Sequence, residues 1–170
     1  MSTRALLLAL LTLALLGPSA PSPAVAAGGD DSPMRGPETK PEDAGYAAAV
    51  TAIKAGDYAG AVRRLEGVVA RDGTNADAYN WLAYAIRKDG DPARSIPLYQ
   101  KALALDPKHR GAHEYIGEAY LALDNVAKAR EHLGALNSLC FFSCSEYRDL
   151  KKAVEAYEKS GGKVKPAAGR

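Results

Sequence analysis

The stretch "ADAYNWLAYAIRKDGDPARSIPLYQKALALDPKH", residues 76–109, decides how the rest of the chain is interpreted. It reads as two helices joined by a short turn, and it is 34 residues long. The segments 42–75 and 110–143 have the same length and align with it without a gap. The turn stands at the same place in each segment, as Gly56-Asp57-Tyr58, Gly90-Asp91-Pro92 and Asp124-Asn125-Val126. Three copies in one register indicate a repeat protein.

Small and large residues recur at fixed places in these segments. The eighth and twentieth places hold small residues, the twenty-seventh holds alanine in the middle copy, and the twenty-fourth holds a bulkier residue. In that order they are Ala49, Ala83 and Gly117; Ala61, Ser95 and Ala129; Ala102; and Leu65, Tyr99 and Leu133. Small side chains let two antiparallel helices approach closely, and large ones fill the space between them. The pattern therefore predicts a helical hairpin in each segment.

The middle segment resembles the tetratricopeptide repeat, a helix-turn-helix unit with this period. In that family an aromatic residue, Leu, two small residues, a second aromatic residue, Ala and Pro are expected at set places. The residues that match are Tyr79, Leu82, Ala83, Ser95, Tyr99, Ala102 and Pro107. The resemblance implies an all-α fold, a right-handed α-solenoid of three repeats at 42–75, 76–109 and 110–143.

A further helix is predicted after the third repeat, at residues 144–159. Ser143 and Glu146 have the spacing of a capping box, and apolar residues follow at helical spacing. Such a helix would cover the exposed apolar face of the last repeat, as terminal helices do in solenoids. The remaining residues, 160–170, are rich in Gly and basic residues and are predicted to be disordered.

The N-terminal residues have the pattern of a secretory signal. One positive charge, Arg4, precedes an apolar run from Ala5 to Leu16, which is shorter than the roughly 20 residues that span a bilayer. The run Ala24-Val25-Ala26 has the form of a signal-peptidase site. We therefore expect a signal peptide at 1–26, export to the bacterial periplasm, and no stable membrane insertion after cleavage.

Residues 27–38 contain Gly, Pro and charged residues with little to bury, so they are predicted to be a flexible linker. Order is expected from Thr39, which forms a possible capping box with Glu42. The three repeats would then occupy 39–143.

Charge and motifs exclude several functions. Without residues 1–26 the chain keeps 21 basic and 20 acidic side chains, so its charge offers no case for binding nucleic acid. The sequence shows no catalytic set of a nucleophile, a base and a group that orients the base, and it has no Gly-rich phosphate-binding loop. We therefore expect neither an enzyme nor a bound cofactor, and we look to surface shape for the function.

Cys140 and Cys144 are the only cysteines, and three residues separate them. In an oxidising compartment a disulfide that staples the last turn is the leading interpretation, with no metal bound. Two alternatives stay open. The pair has the spacing of some exported copper-handling proteins, with His109, His113 or His132 as a possible third ligand. A redox pair with Cys144 at a helix N-terminus is the other.

The resemblance also implies where a partner would bind. In this repeat family the first helix of each copy lines a concave groove, chiefly through a few fixed places. At those places stand Tyr46, Val50, Ile53, Asn80, Tyr84, Arg87, Lys88, Glu114, Glu118 and Leu121. The groove would run from apolar and aromatic, through a basic middle, to an acidic end.

The hypothesis from the sequence is an exported adaptor that binds a peptide or helix of a protein partner and helps to assemble or stabilise a cell-envelope complex. The alternative is a periplasmic metal-handling protein that uses Cys140 and Cys144. The sequence does not name the partner or the oligomeric state.

Overall fold

The computed structural model describes residues 43–162, and within that range the chain is helical and contains no strand. The helices are α1 (Ala44–Lys54), α2 (Tyr58–Arg71), α3 (Ala76–Lys88), α4 (Pro92–Leu105), α5 (Arg110–Ala122), α6 (Val126–Leu139) and α7 (Ser145–Lys159). They form three successive helical hairpins followed by one further helix. The all-α fold predicted from the repeat is thus confirmed.

Several predictions from the sequence fall on other parts of the chain. The signal peptide (1–26), the linker (27–38) and the capping box at Thr39 and Glu42 lie outside the described residues, as does the tail beyond residue 162. Among the helices of residues 43–162, none is both long and apolar enough to cross a membrane.

The turns inside the hairpins share one backbone geometry. The residue at the fifteenth place has a positive φ in all three repeats: 78° at Gly56, 105° at Gly90 and 58° at Asp124. Glycine adopts this conformation without a steric penalty, and aspartate tolerates it better than most residues. The next residue caps the second helix, because the side chains of Asp57, Asp91 and Asn125 accept hydrogen bonds from backbone N–H groups three residues on.

The recurring small residues lie where the helices meet. At the eighth and twentieth places, Ala49, Ala83, Ala61, Ser95 and Ala129 are all fully buried. The twenty-seventh place is equally buried in every repeat, although it holds Val68, Ala102 and Leu136. The same places are therefore buried in each repeat, as a stack of similar hairpins requires.

The helices fall into two rows. The first helices contact one another in order, α1 with α3, α3 with α5 and α5 with α7. Among the second helices, neither α2 with α4 nor α4 with α6 brings any pair of Cα atoms within 8 Å. An ion pair of 3.1 Å between Glu66 and Arg94 links α2 to α4 instead. Because one row is close and the other is splayed, the stack curves with α1, α3 and α5 on its inner side.

The helix α7 begins differently from the prediction. The capping box of Ser143 and Glu146 does not form, because Cys144 is the N-cap residue and makes no side-chain capping bond. Ser143 stands one residue too early, with φ 23°, and its carbonyl oxygen accepts a hydrogen bond from Arg148. Glu146 instead accepts a bond of 3.0 Å from the Ser145 hydroxyl.

Packing of α7 depends on a glycine. Leu150, Val154 and Tyr157 are buried and pack in one cluster with Leu121 and Leu136. A Cβ atom on Gly117 of α5 would stand 2.6 Å from Leu150 Cδ2, closer than real contacts allow. The missing side chain at the eighth place of the third repeat is therefore what lets α7 approach.

We predict that Gly117→Ala and Leu150→Ala are strongly coupled. Gly117→Ala overpacks the interface, a change that costs about 1–3 kcal/mol and outweighs the gain of about 1 kcal/mol in helix propensity. When Leu150→Ala removes the obstructing side chain, the same substitution should become neutral or stabilising. Denaturant unfolding of the four proteins measures this coupling.

The matched control is Gly134→Ala on α6, where an added Cβ meets nothing within 4 Å. It should stabilise the protein equally with or without Leu150. If Gly117→Ala behaved like this control in the wild-type background, the close approach of α7 would be refuted.

Candidate functional site

The candidate site is the surface formed by the first helices, here called the inner face. All ten residues predicted to line the groove lie on α1, α3 or α5. The structure divides them by exposure. Half-buried are Tyr46, Val50, Tyr84, Arg87, Lys88 and Glu118; buried are Ile53, Asn80, Glu114 and Leu121.

Two of the buried residues belong to the hydrophobic core and not to the surface. Ile53 is 9% exposed and packs in the cluster of the first repeats, and Leu121 is 5% exposed and packs under α7. Both occupy the twelfth place of their repeats, which points into the interface with a neighbouring element. We leave them out of the surface that could meet a partner.

An aromatic cluster crosses from the first to the third repeat. Tyr84 lies at 6.4 Å from Tyr58, 5.4 Å from Trp81 and 4.9 Å from Tyr115, measured between ring centroids. The sequence prediction missed Tyr115 as part of the inner face. A signal was present, because Trp81 and Tyr115 stand at the same place in consecutive repeats.

Arg87 is held by partners within the protein. Its guanidinium forms an ion pair of 2.7 Å with Glu118, and it donates a hydrogen bond of 3.4 Å to the Tyr99 hydroxyl. The guanidinium carbon also lies 5.3 Å and 5.7 Å from the ring centroids of Tyr84 and Tyr115. The side chain is only 13% exposed, so Arg87 links three helices.

This arrangement changes the charge expected along the inner face. The predicted basic middle is largely offset, since Glu118 neutralises Arg87. Lys88 remains, with its Nζ atom 5.9 Å from the Tyr84 ring centroid. Burial and the neighbouring Arg87 lower the pKa of Lys88, so a partner that brings an anion would relieve repulsion there.

Glu114 carries the largest electrostatic perturbation of the acidic end. Burial first, and then the nearby carboxylates of Glu118, Asp149 and Glu146, together raise its pKa to about 8, while Arg87 opposes them. At pH 7 this carboxyl group is therefore mostly protonated and neutral. The acidic end of the inner face holds less charge than its sequence indicates.

Asn80 lies beside this region in the preceding repeat. It is 3% exposed, and its Oδ1 atom has no hydrogen-bond partner among the described residues. A buried polar atom without a partner costs free energy, so such atoms are uncommon in folded proteins.

The two cysteines are joined by a disulfide bond, with Cα atoms 5.6 Å apart. The bond closes the turn between α6 and α7. Between them Phe141 and Phe142 are 92% and 86% exposed, and their rings contact each other at 4.8 Å between centroids. The disulfide thus holds the turn from which both rings project.

The histidines that were candidates for a third metal ligand are engaged elsewhere. His113 and His132 contact each other, with 3.0 Å between their Nδ1 atoms, and His109 pairs with Asp77 at 3.0 Å. Burial and the adjacent His113 lower the pKa of His132 to about 4. Within residues 43–162, no three His, Cys, Asp or Glu side chains are grouped so that they could hold a metal ion.

Two family models match the chain, at residues 46–109 and 87–154, and both are described as tetratricopeptide repeat. The chain is a tetratricopeptide-repeat protein. The matched residues run from α1 into α7 and include every residue of the inner face. A comparison with curated proteins finds no match.

Solved structures share the tetratricopeptide solenoid. The first tetratricopeptide domain of Spaghetti (RPAP3), bound to the HSP90 peptide SRMEEVD, has a TM-score of 0.61 and 19% identity, over 67% of this chain and 90% of that one. The Yersinia enterocolitica type III secretion chaperone SycD, in complex with a peptide of the translocator YopD, has a TM-score of 0.60 and 17% identity, over 69% and 92%. MamA from Desulfovibrio magneticus RS-1 has a TM-score of 0.54 and 30% identity, over 56% and 54%.

We predict that loss of the disulfide destabilises the tetratricopeptide protein without unfolding it. Closing so short a loop is worth about 2 kcal/mol on the chain-entropy model. The double substitution Cys140→Ser, Cys144→Ser should lower the free energy of unfolding by about that amount, as measured by denaturant titration. Reducing agent should lower the stability of the wild type to the same value and leave the double variant unchanged. Equal stability of wild type and variant would contradict a stapling role.

Proposed function

We propose that this tetratricopeptide protein is a non-catalytic scaffold that binds an extended peptide or a helix of a protein partner on its inner face. The observation that carries the proposal is the composition of that face. Half-buried aromatic rings lie beside buried polar groups, Asn80 and Glu114, that have no hydrogen-bond partner among the described residues. Binding surfaces combine apolar anchors with a few polar groups in this way.

The structural relatives support this proposal. Spaghetti is bound to an HSP90 peptide, and SycD is in complex with a YopD peptide. The inner face of this chain offers the same kind of curved, helix-lined surface for a short segment. Its chemistry is its own: it is aromatic at the centre, with a cation at Lys88 and a mostly protonated acid, Glu114, in the third repeat.

We further propose that the protein is exported, to the bacterial periplasm, and that it assists the assembly or stability of a cell-envelope complex. The support is the signal-like N-terminal sequence and the disulfide, which persists in oxidising compartments.

The test of the scaffold proposal is a matched pair of variants in an in-cell cross-linking capture read by mass spectrometry. Val50→Asp with Lys88→Glu places new negative charge on α1 and α3 of the inner face. Ala70→Asp with Lys101→Glu makes the same charge change at exposed residues of α2 and α4. Arg87 is left intact because its loss would strand Glu118 and Tyr99 and damage the fold.

We expect the inner-face variant to lose a specific partner, and purified partner to bind it at least tenfold more weakly, a loss of about 1.4 kcal/mol. Helical content and melting temperature should match those of the outer-row variant, which should retain the partner. Equal capture by both variants would refute the inner face as the binding surface.

Export is tested by the mass of the protein in cell fractions. We expect the protein in the periplasmic fraction with an N-terminus at Ala27, because the small residues before that position suit the signal peptidase. Ala24→Leu with Ala26→Leu should leave the uncleaved chain in the membrane fraction. A full-length chain in the cytoplasm of the wild type would overturn the proposal.

A further inference from the structure

We propose that the inner face holds a pocket for a lysine side chain of the protein partner, formed by Asn80 of α3 and by Glu114, Tyr115 and Glu118 of α5. The inference rests on the proposed function, because it takes the inner face to be the partner surface. It adds the chemistry of one anchor residue in the partner.

The first observation is the unpartnered amide oxygen of Asn80. The residue is 3% exposed, and no described residue donates a hydrogen bond to its Oδ1 atom. A donor brought by a ligand would satisfy this acceptor. The feature therefore indicates a ligand that carries N–H groups.

The second observation is the carboxyl group of Glu114. It is 9% exposed, and it makes no hydrogen bond or ion pair with another residue of 43–162. Glu118 of its own helix and Glu146 and Asp149 of α7 face it with the same charge. Arg87 lowers its pKa, but the Arg87 guanidinium is already paired with Glu118. Glu114 thus lacks a counter-ion of its own.

The two groups lie on the same part of the inner face. Glu114 stands one helical turn after Gly111 on α5, so both lie on one side of that helix. The Cβ atom that Gly111 lacks would be 3.7 Å from the Asn80 Nδ2 atom. The Asn80 amide therefore rests against the turn of α5 that precedes Glu114.

A lysine ammonium matches this pair of groups. It presents three N–H donors and no acceptor, so it can donate to the Asn80 Oδ1 atom and to the Glu114 carboxylate when that group is ionised. It is also a compact charge on a thin apolar stem, which suits a carboxyl group on a residue that is 9% exposed better than a planar guanidinium does. Tyr115 follows Glu114 on α5, and its half-buried ring lies 4.9 Å from the Tyr84 ring between centroids, so it would form a wall for the stem.

Binding of the ammonium involves one proton. Below about pH 8 the Glu114 carboxyl is mostly protonated, and its proton must leave to solvent before the ion pair forms. The complex then contains one carboxylate, one ammonium and one proton fewer than its free components. Because the protonated acid competes with binding, affinity for lysine rises with pH and levels off above about pH 8, well below the pKa of lysine itself.

The probe for this pocket is Nα-acetyl-lysine methylamide, titrated into the purified protein and followed by NMR at the amides of Gly111, Glu114 and Asn80. Nα-acetyl-norleucine methylamide is the matched probe, since it has a similar stem without the charge. We expect saturable shifts with the lysine probe only, and an affinity about tenfold higher at pH 9 than at pH 7.

Three variants decide which groups are responsible. Glu114→Gln should lose the lysine-specific shifts and their pH dependence, whereas Glu66→Gln on α2 should keep both. Asn80→Leu should weaken the lysine probe while raising the melting temperature, because it removes a buried acceptor without a partner. A purely structural asparagine would lower the melting temperature when replaced, so this variant separates the two roles even if Glu114→Gln folds poorly.

The proposal is overturned if the norleucine probe binds as well as the lysine probe, or if Glu114→Gln keeps the pH dependence. Its failure is separate from that of the scaffold proposal. Suppose that a partner is lost in the Val50→Asp, Lys88→Glu variant but binds Glu114→Gln normally. The scaffold proposal then stands and the lysine pocket is refuted. If the protein binds the lysine probe but captures no partner, the pocket stands and the scaffold proposal fails.

Discussion

The constraint on which this structure depends is the close approach of helices at fixed small residues. Ala49, Ala83 and Gly117 occupy one place in the three repeats and are buried against the neighbouring helix in each. A larger side chain there would hold the neighbouring helix away, as Leu150 of α7 would be held away from Gly117, and every later element would be displaced with it. The curvature follows from the same constraint, since the first helices can touch in a row only while these places stay small. The curved inner face thus depends first on helix packing and only then on the residues at its surface.

Arg87 shows how the stacking of repeats changes the role of a residue. Taken from the sequence it is a cation on a groove, available to an acidic partner. In the fold it pairs with Glu118 of the next repeat, reaches Tyr99 of its own repeat, and lies over two tyrosine rings. Its desolvation is compensated by these contacts, so it stabilises the stack and contributes little free charge. The charge open to a partner shifts to Lys88, and Glu114 beyond it is mostly protonated at pH 7.

The sequence predicted the fold well because the signals of the repeat act between residues that are close in the chain. The period of 34 residues, the turn residues and the small places all act within one hairpin, and the helices follow them. What it did not predict depends on contacts between repeats: the pairing of Arg87, the burial of Ile53 and Leu121, and the inner-face position of Tyr115. The capping box at Ser143 failed for a related reason, since the disulfide-closed turn makes Cys144 the first residue of the cap.

The capping helix has two consequences that come from one surface of α5. Gly117 and Glu114 are three residues apart and so lie on the same side of that helix. Gly117 lets Leu150 of α7 approach, which closes the apolar end of the stack. The same approach brings Glu146 and Asp149 towards Glu114, where they raise its pKa. A looser α7 would expose the core and would also weaken the part of the Glu114 pKa shift that Glu146 and Asp149 cause. The element that stabilises the third repeat therefore also contributes to the raised pKa of Glu114 on the inner face.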